Sequence, residues 1–312
     1  MSASGGTRAI VAALGANLGI AATKFLAAFF SGSASMLAEG VHSLADSVNQ
    51  VLLLVGGRRS RRAPTEEHPF GYGRSRYVYA FVVAIILFSV GGVFSLYEGV
   101  GKIAHPHELD IVWLPMLVLV VAIALEGFSL RTAIVESNHT RGAQSWVQFV
   151  RRAKAPELPI VLLEDVAALV GLVLALFGVG LTWLTGEAVW DGIGTIAIGV
   201  LLIAVAVILG IEMSSLLVGE GATRADLDKI TAAITAGTEV DSIIHAKTLY
   251  LGPDELLVAA KVAMAPTVSL ADIAERIDAI EARIRAAVPV ARVIYLEPDV
   301  LDPARRGAGA RA

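Results

Sequence analysis

The sequence contains no cysteine, which excludes disulfide frameworks, thiolate metal sites and a cysteine nucleophile. Charge is also scarce: Asp, Glu, Lys and Arg supply 17% of the 312 residues, below the roughly 25% of soluble domains. Hydrophobic residues reach 55% and the mean hydropathy is +0.69. Together these exclude a disordered chain and argue against a wholly soluble enzyme. Neither an HExxH helix nor a GxSG-like nucleophile motif occurs, so an intramembrane metalloenzyme is a weak reading. The formal net charge is only −4, and no nucleic-acid partner is expected.

Long apolar runs dominate the chain. A spanning helix needs roughly 20 mainly apolar residues to cross about 30 Å of hydrocarbon. Six windows qualify, at about 10–30, 34–56, 77–100, 111–134, 158–184 and 189–217. The first is too long for a signal-peptide core and is followed by Ser31-Gly32-Ser33, so it reads as span 1. Arg58, Arg59, Arg61, Arg62, Arg74 and Arg76 crowd the 57–76 loop, and Arg131, Arg141, Arg151, Arg152 and Lys154 the 131–157 loop, whereas the intervening loops hold only Lys102. Positive-inside topology then places both termini and the Arg-rich loops in the cytoplasm, most simply beneath a bacterial inner membrane. Trp113, Trp183 and Trp190 would mark the opposite interface.

After residue 217 the apolar runs shorten, which divides the chain into a membrane domain (1–217), a small cytoplasmic α/β domain (218–300) and a disordered Arg/Ala/Gly-rich tail (301–312). Within the α/β domain, Asp226–Ala236 places Leu227, Ile230 and Ile234 on one helical face before Gly237. Strand-like runs Ile243–Leu251 and Leu256–Met264 flank the turn Gly252-Pro253-Asp254. Ser269 then caps a helix striped by Ile273, Ile277, Ile280, Ile284 and Val288, and Ala291–Leu296 is a last strand. The order is αββαβ, a ferredoxin-like pattern.

Ionisable groups in mid-bilayer cost about 2.5–3.5 kcal/mol each on insertion scales, so each asks for a reason. Span 2 carries Glu39, His42, Asp46 and Asn49, all on one helical face. His42 and Asp46, one turn apart, aim an imidazole and a carboxylate the same way, a pairing suited to a borderline divalent cation such as Zn²⁺. Two ligands cannot close a tetrahedral shell, and span 5 offers the adjacent acids Glu164 and Asp165. At ~1.5 Å per residue, Asp46 lies about 12 Å from the inner edge of the hydrocarbon, and Glu164 and Asp165 about 9–11 Å. The two sets can therefore meet. Glu164 continues into the small-residue stripe Ala168, Gly171, Ala175, Gly178, which favours it as the ligand. Asp165 continues into Leu169, Leu172, Leu176, Val179, a lipid-facing or loosely packed stripe, and is the second choice. Glu126 and Glu212 read as structural partners, with Lys24 a candidate mate, and Asn17 as interhelical glue. In the 57–76 loop, His68 precedes Pro69-Phe70-Gly71-Tyr72-Gly73; a tight turn with an exposed imidazole outweighs a metal contact. His105 and His107 are too sparse to make a site.

The run Gly32-Ser33-Ala34-Ser35-Met36-Leu37-Ala38-Glu39-Gly40-Val41-His42-Ser43-Leu44-Ala45-Asp46, followed by His68-Pro69-Phe70-Gly71-Tyr72-Gly73-Arg74, resembles the cation diffusion facilitators. The Leu162-Leu163-Glu164-Asp165 run is similar to the branch of that family that includes zinc transporter nine. The resemblance implies six transmembrane helices, an αββαβ tail, a homodimer in membrane lipid, and export of a divalent metal, usually Zn²⁺, in exchange for protons. Metal would then be substrate, and no cofactor is implied. His42 and Asp46 match the HxxxD of the family's span 2. The second HxxxD, in span 5, is absent: Ala168 and Leu169 stand four residues after Glu164 and Asp165. In the tail only His245 resembles a family metal ligand, so that domain is expected to dimerise rather than to sense metal. Competing readings are export of Fe²⁺, Co²⁺ or Mn²⁺, and a non-transporting membrane scaffold.

Overall fold

The computed structural model describes residues 3–31, 34–105 and 113–300, with the side chains of 3–5, 31, 34–39, 41, 42 and 45 outside the description. The chain forms two compact units that are discontinuous in sequence: Met1–Arg62 with Ser75–Ser214, and Ala63–Arg74 with the chain from Ser215 onward. His107 and residues 301–312 lie outside the described residues.

The first unit is all helical. Its long helices are α1 (Ala3–Ser31), α2 (Ala34–Arg59), α3 (Ser75–Ile86) with α4 (Phe94–Ala104), α5 (Trp113–Arg141), α7 (Glu157–Thr185) and α8 (Val189–Val218). Among the described residues, five apolar stretches are long enough to cross a membrane: Gly6–Phe30, Ser75–Ala104, Trp113–Arg141, Glu157–Thr185 and Val189–Val218. Helix α2, with Glu39, His42, Asp46, Asn49 and Gln50, is the polar sixth. Phe29, Phe30, Phe128, Phe177 and Trp183 project outward, each more than 60% exposed, as a lipid-facing exterior requires. This is an α-helical membrane protein with a small C-terminal sheet domain.

Two local features shape the bundle. Leu87–Val93 is π-helical and joins α3 to α4 around Gly91 and Gly92, with Ser89 Oγ donating back to the Ile85 carbonyl at 2.8 Å. Hydroxyl back-bonding and paired glycines loosen a helical ladder. Helices α4 and α8 then meet through glycine: a Cβ on Gly99 would lie 2.7 Å from Ile196 Cγ1 and 3.0 Å from the Gly192 carbonyl. Close backbone approach of this kind is how apolar helices gain packing in lipid, where hydrophobic driving force is absent. A short helix, α6 (Trp146–Arg152), was not expected from span patterning. It is announced by a capping box, with Ser145 Oγ accepting from Gln148 N and Gln148 Oε1 from Ser145 N, both at 3.2 Å.

The second unit follows the expected αββαβ order: α9 (Arg224–Thr235), β1 (Ser242–Gly252), β2 (Glu255–Ala263), α10 (Leu270–Ala287) and β3 (Ala291–Asp299). Strand β2 is central, antiparallel to β1 and parallel to β3. Thr223 and Ser269 cap the two helices, each accepting the N3 amide at 3.2 Å. The core is Ile230, Ile234, Tyr250, Leu256, Val258, Ile280 and Ile284, an apolar stripe from each helix laid on alternate strand residues. Arg283 clamps Glu239 through both guanidinium nitrogens at 3.0 and 3.3 Å, which holds that carboxyl below its ordinary pKa.

The loop 63–74 packs into this second unit. Thr65 and His68 exchange backbone bonds at 3.2 and 3.1 Å, Gly71 takes φ +74°, and Gly73 lies against the Leu251–Gly252 backbone, where a Cβ would stand 2.6 Å from the Leu251 carbonyl oxygen. The Phe-Gly-Tyr-Gly spacing is thus dictated by a left-handed turn and a backbone-to-backbone contact. Gly73→Ala should cost about 1–3 kcal/mol through overpacking, read as faster hydrogen exchange of the Thr65–Tyr72 amides. The Glu239 clamp also sets a pH dependence. A depressed carboxyl contributes stability that is complete above its unfolded value near 4.5 and is lost as pH falls through the lower folded value. Glu239→Gln should flatten this acid limb in the unfolding profile of the α/β unit, and an unchanged limb would refute the assignment.

Candidate metal centre

The polar residues of α2 and α7 meet in the interior of the helical unit. Glu164 and Asp165 are 7% and 2% exposed. The two oxygens of Glu164 accept separate amide donors from α2, Asn49 Nδ2 and Gln50 Nε2, each at 3.0 Å. Gln50 in turn accepts from Asn17 Nδ2 of α1 at 3.3 Å, so three helices converge on one carboxylate. The side-chain oxygen of Asn49 is buried and has no hydrogen-bond donor among the described residues. A buried acceptor without a donor is costly and is a natural oxygen for a cation.

Asp165 has its own setting. Ser129 Oγ of α5 donates to it at 2.7 Å, and the Glu126 carboxyl of α5 is its hydrogen-bond partner. The expectation that Asp165 faces lipid or loose packing is therefore corrected: α7 is buried on two sides, by α2 and α1 across Glu164 and by α5 across Asp165. Half-buried Asp46 interacts electrostatically with both Glu164 and Glu126.

A cavity of about 400 Å3 reaches this group. Its walls include Lys24, Ser43, Asp46 and Glu126, and further along Glu98, Lys102, Asp191 and Thr195. Lys24 is buried and donates to Ser43 Oγ at 2.8 Å. At the far end of the cavity Lys102 lies 3.0 Å from Asp191 and 3.5 Å from Glu98. At the opposite end of the unit, where α3 and α7 begin, Arg76 and Glu157 form an ion pair with both side chains largely buried, beside the packed Leu158, Ile160 and Val161. Of the four acids, Asp46 and Glu126 line this cavity, which extends toward Lys102 and Asp191.

The comparisons with known proteins decide the family. Residues 10–218 match the cation efflux transmembrane domain. The chain belongs to the cation efflux family. It is similar to the proton-coupled zinc antiporter SLC30A9, mitochondrial, of Xenopus laevis, 33% identical over 241 residues, covering 77% of this chain and 43% of that protein. The Homo sapiens protein of the same name is 31% identical over 231 residues, covering 73% and 41%. Metal tolerance protein C4 of Arabidopsis thaliana is 32% identical over 248 residues, covering 79% and 54%. The chain spans about half the length of these relatives. As a cation efflux family member it is a multi-pass membrane protein of a transport family, not an enzyme.

The remaining candidate ligands of this cation efflux chain fall in different places. The side chains of Glu39 and His42 lie outside the described residues. Among the described residues no set of three or more His, Asp or Glu is arranged to hold a metal ion. His68 is exposed, in the turn described above, with its ring edge-on to Tyr72 at 4.6 Å. His245 is exposed on β1 opposite Lys261, a cation where a second ligand would be needed. Glu212 pairs with Arg151 at 3.4 Å, and Asn17 bonds across helices as expected of interhelical glue. Sequence reasoning overlooked Gln50, Ser129 and the Glu126–Asp165 pair. Gln50 directly follows Asn49 and continues its polar run, which was a usable signal; the partners of Ser129 and Glu126 lie on another span and left none.

The donor set predicts a measurable cost. Gln50→Leu removes one amide from Glu164 and leaves the carboxylate buried with a donor missing, which costs about 1–3 kcal/mol. The purified protein should therefore melt several degrees lower, while Gln50→Glu at low pH, where the new carboxyl can donate, should recover part of the loss.

Proposed function

We propose that the protein is a proton-coupled exporter of divalent metal, with Zn²⁺ as the principal cargo, bound in mid-membrane between α2 and α7 by His42, Asp46 and Glu164, with Asp165 in support. The observation that carries this reading is the cluster of carboxyls Asp46, Glu126, Glu164 and Asp165 inside the helical unit, two of which, Asp46 and Glu126, line a cavity of about 400 Å3. Ionised carboxylates cannot be buried uncompensated. Protons can compensate them, and so can a divalent cation. Both cannot occupy the same oxygens, so loading one expels the other.

The amides of Asn49 and Gln50 hold the oxygens of Glu164 in place and orient them for a cation entering from Asp46. The unpartnered Asn49 oxygen supplies a further neutral donor. An imidazole ordinarily titrates near pH 6.5, which makes His42 the group best suited to exchange a proton for metal at neutral pH. Its nitrogen also favours Zn²⁺, Fe²⁺ or Co²⁺ over Mn²⁺. The passage lined by Lys102 and Asp191 corresponds to release on the outer side, and the Arg76–Glu157 pair to a closed cytoplasmic side. On this reading both termini are cytoplasmic, the working unit is a homodimer, and the membrane is a bacterial inner membrane. The names of the relatives, a proton-coupled zinc antiporter and a metal tolerance protein, agree with the same activity.

The test is metal flux into proteoliposomes under an imposed pH gradient, with Zn²⁺, Fe²⁺, Co²⁺ and Mn²⁺ in parallel. Gradient-dependent Zn²⁺ uptake should fall to background in Asp46→Ala and His42→Ala. Full uptake in a folded Asp46→Ala protein would refute the site, and absence of flux for all four metals would refute the transporter reading.

A further inference from the structure

A second cavity, of about 670 Å3, lies among α5, α6, α7 and α8. Its walls are aliphatic, formed by Ile134, Leu163, Val166 and Ile208 among others. Ile134 lies two turns before the end of α5, Leu163 within two turns of the start of α7, and Ile208 three turns before the end of α8. At ~1.5 Å per residue this level is roughly 10–15 Å below the helix ends, where the acyl region of a bilayer begins.

The border of the groove is not aliphatic. Helix α6 presents Trp146, Val147 and Val150 to it and ends in Arg151 and Arg152. At seven residues it is too short to span, and its pattern of aromatic and aliphatic side chains followed by arginines is that of an interfacial helix. Arg141 covers the Trp146 ring at 4.3 Å, which fixes the aromatic at the rim. Glu212 engages Arg151 at 3.4 Å and offsets one charge; Arg152, next to Arg151 at the end of α6, and Arg141, over Trp146, add two more positive charges.

We propose that this groove is a binding site for an anionic phospholipid, with an acyl chain along Ile134, Leu163, Val166 and Ile208 and the headgroup phosphate against Arg151 and Arg152. An apolar cleft at this depth is filled by lipid chains, and the basic rim selects among them. Each arginine near an anionic headgroup contributes roughly a fivefold preference. The proposal does not depend on transport, so the two readings can fail separately.

Native mass spectrometry of the full-length protein in detergent, titrated with phosphatidylglycerol or phosphatidylcholine of matched chains, tests it. The expected result is about tenfold or greater preference for phosphatidylglycerol. Arg151→Gln with Arg152→Gln should erase that preference. Val166→Trp should fill the groove and reduce retention of both lipids. Arg58→Gln with Arg59→Gln, the same charge change elsewhere, should leave the preference intact. Equal retention of the two lipids by the unaltered protein, unchanged retention in Val166→Trp, or an equal loss on changing Arg58 and Arg59 would each overturn the assignment.

Discussion

The helical unit is organised around one constraint: Glu164 is a buried carboxyl group two turns into an apolar helix. It is tolerable there because α2 supplies two amide donors, because α1 fixes one of those amides through Asn17, and because α5 takes the neighbouring Asp165 with Ser129 and Glu126. Without those partners the group would cost several kcal/mol in hydrocarbon. The contact thus ties α7 to α1, α2 and α5 at one level of the bundle. A polar helix such as α2 is stable in this bundle because its polar face is turned to α7 rather than to lipid.

The second unit relies on ordinary aqueous folding physics. Its helices are capped, its sheet buries alternate residues, and most of its ion pairs lie at the surface, where each is weak. Its one unusual element is the segment 63–74, which comes from between two membrane helices. The Gly73–Gly252 contact allows two backbones to touch, and a β-carbon at either position would separate them.

Much of this was legible in the sequence. Spans and tail elements were visible because hydrophobic period and length are strong signals over 20 residues. The αββαβ order was visible because Gly252-Pro253-Asp254 and Ser269 punctuate it. The error at Asp165 has a definite cause. The stripe argument assumed one contact face for α7, whereas a central helix has two, and a leucine stripe inside a bundle looks the same as one facing lipid. The Glu126–Asp165 pairing could not be read because nothing local records which residues of two distant spans share a depth. Helix α6 was missed although Ser145 and Gln148 form a capping box, because seven residues give no period to detect.

The π-helical segment Leu87–Val93 carries a consequence for how its span is phased. Leu87, Gly91, Ser95 and Gly99 are all buried at intervals of four. A continuous α-helix turns about 100° per residue, so twelve residues would leave Gly99 roughly a third of a turn away from Leu87. The wider π turn absorbs that difference, which amounts to one extra residue accommodated without rotating the turns beyond it. Ser95 consequently faces the interior cavity instead of lipid, and Gly99 faces the glycines of α8. The length of this span and the direction in which its far half looks are thereby set independently.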